Sequence, residues 1–398
     1  MFRIRTMNKI SPLGLERFPR DRYEVAGELP HPDALLVRSA DLHGIEIPET
    51  VQAIARAGAG YNNIPIEACS ERGIVVFNTP GGNANAVKEL AIAALLLSSR
   101  NILGGVNWGA SIASRADEVP DLVEKEKSRF EGPELRGKTL GVVGLGAIGV
   151  MVANDAVAMG MEVAGYDPYI SVDAAWNLSR QVRRADTLEG LLAHADYVTL
   201  HLPLGDTTKG LMDAGKFRLM KKGARIINLA RGGLVNEADV IQALETGKLA
   251  VYVTDFPTAE LLACKKAICI PHLGASTPEA EDNCAIMAVR QLMDYLESGT
   301  VVNSVNFPRC KLEQPSGAQG NRLIVANRNI PNMVGQITTI LAGEGINIGD
   351  LINHHQGEYA YNIIDTEQVI PQGVLERIKA VEGIIRVRTI EAASSGRS

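Results

Sequence analysis

Between Thr139 and Ile270, short runs of β-branched and aliphatic residues alternate with stretches of helical spacing: TLGVVG, EVAGYD, DYVTLHLP, ARIINLA, AVYVTD and AICIPH. Strands of a parallel sheet covered on both faces read as continuous apolar runs, and the helix-length pieces between them supply the crossovers. The pattern predicts a doubly wound α/β domain. The first hundred residues repeat the style less cleanly. Ala34–Val37 (ALLV), Val51–Ala55 and Ile74–Phe77 (IVVF) read as buried strands, and Ala86–Ser98 (AVKELAIAALLLS) as a buried helix of a smaller α/β lobe. After Pro278, EAEDNCAIMAVRQLMDYLESG has apolar residues at helical spacing and ends in glycine. That helix is expected to return the chain to the first lobe.

From Val302 to Gly320 the pattern breaks into a polar, Pro- and Gly-containing stretch that reads as a linker. Beyond it come a strand (RLIVAN), a helix from Asn332 to Gly343, strands LINHHQ and YAYNIIDT, a helix (QGVLERIKAV) and a last strand (IIRVRTI). This βαββαβ order is the ferredoxin-like arrangement. The tail AASSGRS is expected to be disordered.

Length then bounds the picture. At 398 residues the chain is too long for one ordinary domain. A formal net charge of −6 argues against a general nucleic-acid footprint, and doublets such as Arg183-Arg184 and Lys221-Lys222 do not grow into basic runs. The longest apolar run, Leu90 to Leu97, is far short of a membrane span, and MFRIRTMNKI contains no apolar core of a secretory signal. A cytoplasmic location is expected. The five cysteines form no CxxC pair and no zinc pattern, so reduced thiols and no metal are expected.

The candidate chemistry lies at the ends of the apolar runs. Gly144-Leu145-Gly146-Ala147-Ile148-Gly149 follows a strand and opens a helix. Its glycines serve a tight turn, close approach of a pyrophosphate and helix–strand packing, with the phosphates on the helix N-terminus. Such turns also occur for packing alone. Asp167 ends the next strand at about the ~20-residue offset of a ribose-binding carboxylate, which repels a 2′-phosphate and favours NAD. Arg231 follows the ARIINLA strand, where a guanidinium can clamp a carboxylate and orient a carbonyl; a structural ion pair is the alternative. His272 ends the last run and can exchange a proton near neutrality, though an isolated histidine is often structural. Glu260 is the carboxylate available to hold it.

In this order GLGAIG, YD, HLPL, NLARGG and PHLGAS resemble the D-isomer-specific 2-hydroxyacid dehydrogenases over residues 30 to 305. The resemblance implies Arg231, Glu260 and His272 as the catalytic set. It implies Gly144, Gly146, Ala147, Ile148, Gly149, Asp167, His201, Leu202, Pro203, Ala230, Asp255, Gly274 and Ala275 around NAD. The register at Asp255-Phe-Pro-Thr-Ala-Glu260 is open: counting without a gap selects Glu260, and sliding by one selects Ala259. Val37-Arg38-Ser39 and Arg56-Ala-Gly-Ala59-Gly60 are similar to the substrate-lobe motifs of phosphoglycerate-oxidising members. This implies Arg38, Ser39, Ala59, Gly60 and Lys88 around a phosphorylated 2-hydroxy acid, with ordinary ion pairs as the alternative for Arg38 and Lys88.

The C-terminal segment resembles an ACT module, which implies an L-serine effector at Asn327, Asn329 and Asn347, or a purely dimerising role. Asn332 stands where the common pattern of that module has glycine. The family also implies a homodimer or homotetramer, with Ile102–Ala113 (ILGGVNWGASIA) as the apolar part of its interface.

The expected fold is therefore α/β. A doubly wound NAD-binding (Rossmann) domain at 101–276 is inserted in a smaller flavodoxin-like substrate domain formed by 1–100 and 277–304. A linker at 305–320 leads to a ferredoxin-like ACT module at 321–392. The expected reaction is oxidation of 3-phospho-D-glycerate by NAD. A sibling dehydrogenase acting on glyoxylate, hydroxypyruvate or lactate, and an NAD-bound regulatory protein with idle Arg231 and His272, are the alternatives.

Overall fold

In a computed structural model, residues 1–313 and 321–391 are described. The end of the expected linker and the tail AASSGRS lie outside them. The chain divides into two compact units, residues 1–83 with the segment from Pro278 onward, and residues 84–277. The second unit thus begins with the helix Ala84–Ser99, whereas the sequence reading ended the first lobe at residue 100.

The first unit holds a parallel sheet of β1 (Phe2–Met7), β2 (Tyr23–Ala26), β3 (Ala34–Val37), β4 (Ala53–Arg56) and β5 (Val75–Phe77), in the order β2-β1-β3-β4-β5. β3 is buried along its whole length, as its uninterrupted apolar run requires. The runs of sequence had not revealed β1 or β2. In β1 (FRIRTM) arginines alternate with apolar residues, and Ile4 alone is fully buried.

The second unit carries seven parallel strands: β6 (Thr139–Val143), β7 (Glu162–Tyr166), β8 (Arg183–Arg184), β9 (Tyr197–Leu200), β10 (Ala224–Asn228), β11 (Leu249–Thr254) and β12 (Ala267–Cys269). Their order is β12-β11-β10-β9-β6-β7-β8, so the chain reverses direction across the sheet at β6 and β9. Ligands of open α/β sheets bind at the carboxyl ends of strands beside such a switch point. Two apolar cores flank this sheet, one gathering Val143, Leu192, Leu200 and Leu244 and the other Leu140, Val142, Val152 and Val253.

The C-terminal sheet belongs to the first unit and is antiparallel: β13 (Asn321–Arg328), β14 (Ile348–Gln356), β15 (Tyr359–Thr366) and β16 (Ile384–Glu391), ordered β14-β15-β13-β16. Successive side chains of β13 serve opposite faces. Leu323 and Val325 join Ile337, Leu341, Val374 and Ile378 of the module's two helices, while Ile324 and Ala326 join Tyr295, Phe307 and Tyr361 in the lobe's core. Arg322 is almost fully buried and has all five donors engaged. Asp365 receives two hydrogen bonds of 2.7 Å, and the carbonyls of Ser298, Leu312 and Glu313 accept the rest at 3.0–3.2 Å.

The described part of the expected linker is packed. Phe307 and Cys310 are fully buried. Asn306 accepts the Val76 N–H at 2.9 Å and donates to the Ile74 carbonyl and the Ser70 hydroxyl. One polar side chain there takes over the pairing that a strand would supply, which is why the segment carries no strand-like pattern.

Candidate active site

In the second unit the sequence places its chemistry at the carboxyl ends of β6, β7, β9, β10, β11 and β12. Gly144 has φ +92°, and a Cβ there would meet the His201 carbonyl oxygen at 2.5 Å. A Cβ on Gly149 would fall 2.0 Å from the Gly144 oxygen, so both positions exclude side chains on protein grounds. Gly146 differs: a Cβ there meets nothing within 4 Å. It is the N-cap of the helix Ala147–Ala158, which has no side-chain cap, so the first N–H groups of that helix, Ala147 and Ile148 among them, are left for an anion. The turn fits a pyrophosphate, and its residues would hold NAD there.

Asp167 follows β7. Its Oδ2 accepts the Leu145 N–H and its Oδ1 the Tyr169 N–H, each at 2.8 Å. After β9, His201 is half-buried beside Thr199, whose Oγ1 lies 3.0 Å from Nε2. Desolvation pushes this imidazole down to about 4, so it is neutral at physiological pH. Leu202 lies against the turn, 2.9 Å from the Cβ that Gly144 lacks, and Pro203 continues the segment, its carbonyl accepting the Thr208 hydroxyl.

Arg231 is presented by a side-chain-built turn. The buried Asn228, at the end of β10, donates to the Arg231 carbonyl at 2.9 Å and accepts the N–H groups of Ala230 and Arg231 at 3.2 and 3.4 Å. Asn228 was not among the residues singled out from the sequence. Its place three residues before Arg231 is the signal that could have found it, because asparagine readily closes such turns on the backbone.

Asp255, after β11, is buried, and its Oδ1 has no hydrogen-bond partner among the described residues. Burial raises the carboxyl above its ordinary value, while His272, the Gly274 N–H and Arg231 pull it down. One buried carboxylate therefore interacts with both groups expected to act on substrate. A buried acceptor left unpaired inside the protein is the natural partner of a ligand donor.

His272 is exposed, and its ring sits 4.9 Å from that of Phe256, tilted by 55°. Beside it, Gly274 is buried and Ala275 half-buried in a turn closed by the Ser276 N–H on the Leu273 carbonyl. Glu260 is exposed in the first turn of the short helix Ala259–Ala263, which Thr258 caps. Among the described residues no hydrogen bond or ion pair joins Glu260 to His272. Lys88 pairs with Asp155 at 2.9 Å and ties the helix Ala84–Ser99 to the helix of the glycine turn.

The first unit assembles its own group. Arg38 follows β3 and forms an ion pair with Glu281. Arg56 ends the neighbouring strand β4 and donates to Asn63 Oδ1 at 3.1 Å. Asn63 also holds the Ala40 carbonyl at 2.7 Å, Asn8 Oδ1 accepts the Ser39 N–H at 3.2 Å, and Asn78 holds the Ala59 carbonyl at 2.7 Å. Gly60 lies against the Arg56 guanidinium: its missing Cβ would be 3.5 Å away. Two guanidiniums thus stand at the carboxyl ends of adjacent parallel strands.

In the C-terminal module Asn327 is buried, donates to the Arg328 carbonyl at 2.6 Å and accepts from Asn362 at 2.7 Å. Asn329 donates to the Gly357 carbonyl at 3.1 Å, and the Asn347 N–H is held by Gln368 at 2.7 Å. Asn332 has φ +66°, a left-handed conformation that asparagine tolerates better than most residues, so its replacement of glycine leaves the turn intact.

Residues 107–274 match the NAD-binding domain of the D-isomer-specific 2-hydroxyacid dehydrogenases. The chain is 37% identical over 297 residues to D-3-phosphoglycerate dehydrogenase of Archaeoglobus fulgidus, covering 72% of this chain and 54% of that protein. With the enzyme of the same name from Methanocaldococcus jannaschii it is 34% identical over 346 residues, 85% of this chain and 62% of that one. The chain thus spans little more than half the length of these relatives. Among solved structures, NAD+-bound 3-phosphoglycerate dehydrogenase of Entamoeba histolytica aligns with a TM-score of 0.58 at 28% identity, over 77% of this chain and 98% of that one. D-mandelate dehydrogenase of Rhodotorula graminis, at 24% identity and a TM-score of 0.62, shares the fold. The glycine turn with Asp167, the Arg231 and His272 strand ends and these matches agree: residues 107–274 are the NAD-binding domain of a D-isomer-specific 2-hydroxyacid dehydrogenase.

Proposed function

We propose that the protein oxidises 3-phospho-D-glycerate to 3-phosphonooxypyruvate with NAD, the step that feeds carbon into L-serine. The observation that carries the reading is the placement of Arg231, Asp255 and His272 at the carboxyl ends of three adjacent strands, β10, β11 and β12. Bound NAD supplies the hydride acceptor. Arg231 holds the substrate carboxylate and the oxygen on C2, fixing the geometry of attack. His272 takes the hydroxyl proton as the carbonyl forms and returns it in the reductive direction. Phe256 packs beside the imidazole with its ring tilted. The unpaired Asp255 Oδ1 suits a carboxamide N–H of the nicotinamide. His201 stays neutral and adds no positive charge beside the cofactor segment.

The phosphate is the reason for preferring this substrate. Arg38 and Arg56 end adjacent strands, and a guanidinium pair suits a dianion. The names of the relatives point the same way. One observation favours the sibling reading, in which an unphosphorylated keto acid is reduced: Glu281 already engages Arg38. Assays of NADH consumption with 3-phosphonooxypyruvate, hydroxypyruvate, glyoxylate and pyruvate side by side separate the two. Preference for the phosphorylated acid supports the proposal, and preference for any other discards it while keeping Arg231 and His272.

A further inference from the structure

Tyr252, in β11, is buried, and its ring joins the apolar core of Val240, Leu244 and Leu261 on one face of the sheet. A phenylalanine would fill that core as well, and a buried hydroxyl costs free energy unless it is hydrogen-bonded. The phenol oxygen meets two side chains at the carboxyl ends of neighbouring strands. Asn228 Nδ2, at the end of β10, donates to it at 3.3 Å, and the hydroxyl of Thr254, at the end of β11, is its other partner. Asn228 and Thr254 are themselves opposite one another in the register of the two strands, and both are fully buried. Burial holds the phenol above its ordinary value, so it stays protonated and keeps its O–H to donate.

The two partners lead to different parts of the site. Asn228 closes the turn that presents Arg231: Nδ2 donates to the Arg231 carbonyl at 2.9 Å, and Oδ1 accepts the N–H groups of Ala230 and Arg231. With the phenol as the second acceptor for Nδ2, the amide makes two donations and two acceptances, which fixes the way round it faces those N–H groups. Thr254 Oγ1 accepts the Phe256 N–H at 3.1 Å and so closes the backbone around Asp255. We propose that Tyr252 is a positioning residue of the dehydrogenase site: its hydroxyl orients the Asn228 amide and ties the Arg231 turn after β10 to the Asp255–Phe256 turn after β11. The inference rests on the reading of Arg231 as the group that anchors the substrate carboxylate. The hydroxyl reaches Arg231 only through Asn228, so its effect on that anchor must vanish when the Asn228 side chain is gone.

The test is a double-mutant cycle in the full chain, read on the keto acid that the parent reduces fastest. Tyr252→Phe keeps the ring and removes the hydroxyl. It should lower kcat/KM for the keto acid about five- to tenfold, the usual consequence of leaving a buried donor unpaired, while NADH binding by fluorescence stays near the parent's. Asn228→Ala should lower kcat/KM at least as far, and Tyr252→Phe added to Asn228→Ala should cost nothing more. Losses that multiply in the double variant, a parent-like kcat/KM in Tyr252→Phe, or an equal loss of NADH affinity each overturn the proposal. A second readout needs no turnover. Hydrogen exchange at the Ala230 and Arg231 amides, followed by NMR, should quicken in Tyr252→Phe because the side chain that holds them is freed; unchanged exchange overturns the proposal. If the parent reduces no keto acid, the reading of Arg231 falls by itself, and the exchange rates still decide whether the hydroxyl holds the turn.

Discussion

Asp167 and Leu145 are joined by a 2.8 Å hydrogen bond from the Leu145 N–H to Oδ2, so the carboxylate after β7 also fixes the glycine turn after β6. Under the proposed reading, this one side chain sets both the ribose end and the phosphate end of the cofactor cradle. Asp167→Ala should raise kcat/KM with NADP relative to NAD, because the charge facing a 2′-phosphate is gone. It should also weaken NAD, because the turn loses its tie. Paired steady-state assays with the two cofactors check this, and equal use of both by the parent protein would refute the assignment.

His272 tests the chemistry apart from binding. His272→Ala should lose about 10²- to 10⁴-fold in turnover, while NADH fluorescence titration shows binding close to the parent's. A variant with the parent's rate removes the imidazole from the mechanism.

Asn228→Ala should impair catalysis without touching substrate. It removes the side chain that closes the turn bearing Arg231, so kcat/KM for the keto acid should fall while NADH affinity stays near the parent's. Asn228→Asp, which keeps the acceptor for the Ala230 and Arg231 N–H groups, should recover part of the loss. Equal values of kcat/KM in all three proteins would contradict the role.

His201 predicts a pH dependence. Its folded value lies at about 4, below the ordinary 6.5, so the unfolded chain binds the extra proton in that interval. The group's contribution favours the folded state fully above about 6.5 and is lost as pH falls toward 4. Denaturant unfolding across that window should show stability rising with pH, and His201→Gln should flatten the rise. An unchanged slope in the variant would show that His201 is not its source.

The buried Arg322 couples the C-terminal sheet to the lobe. Asp365→Ala leaves its guanidinium uncompensated, which typically costs about 3–5 kcal/mol. Thermal or chemical unfolding measures the loss, and a change under 1 kcal/mol (about a factor of 5 in the folding equilibrium) would contradict this account of the pair.

The nucleotide-binding sheet was legible because its central strands β6, β9 and β10 are largely buried and carry apolar runs, whereas β8, two exposed arginines, left no such run. The C-terminal βαββαβ order was legible for the same reason in β13, which faces two cores. β1 escaped because Arg3 and Arg5 place charged ends beyond half-buried stems, so its pattern reads as polar. Phe307 and Cys310 escaped because the segment holding them is organised by Asn306 rather than by periodicity. At the site, Gly144, Asp167, Arg231 and His272 could be found from their places after strands. Asn228 was not singled out, although its place three residues before Arg231 carried the signal, because its role comes from the turn that folding closes on its side chain. Lys88 reads in sequence as a substrate contact or an ordinary ion-pair side chain, and the structure pairs it with Asp155 across two helices.

The measurement that bears most directly on the central claim follows the hydride itself. NADH deuterated at the transferable position is incubated with 3-phosphonooxypyruvate and the protein, and the product is examined by proton and deuterium NMR. The account predicts deuterium on C2 of 3-phospho-D-glycerate, with none when His272→Ala replaces the parent at equal concentration and time. Deuterium retained in the cofactor pool with the parent protein, or incorporated only when an unphosphorylated keto acid is supplied, would contradict it.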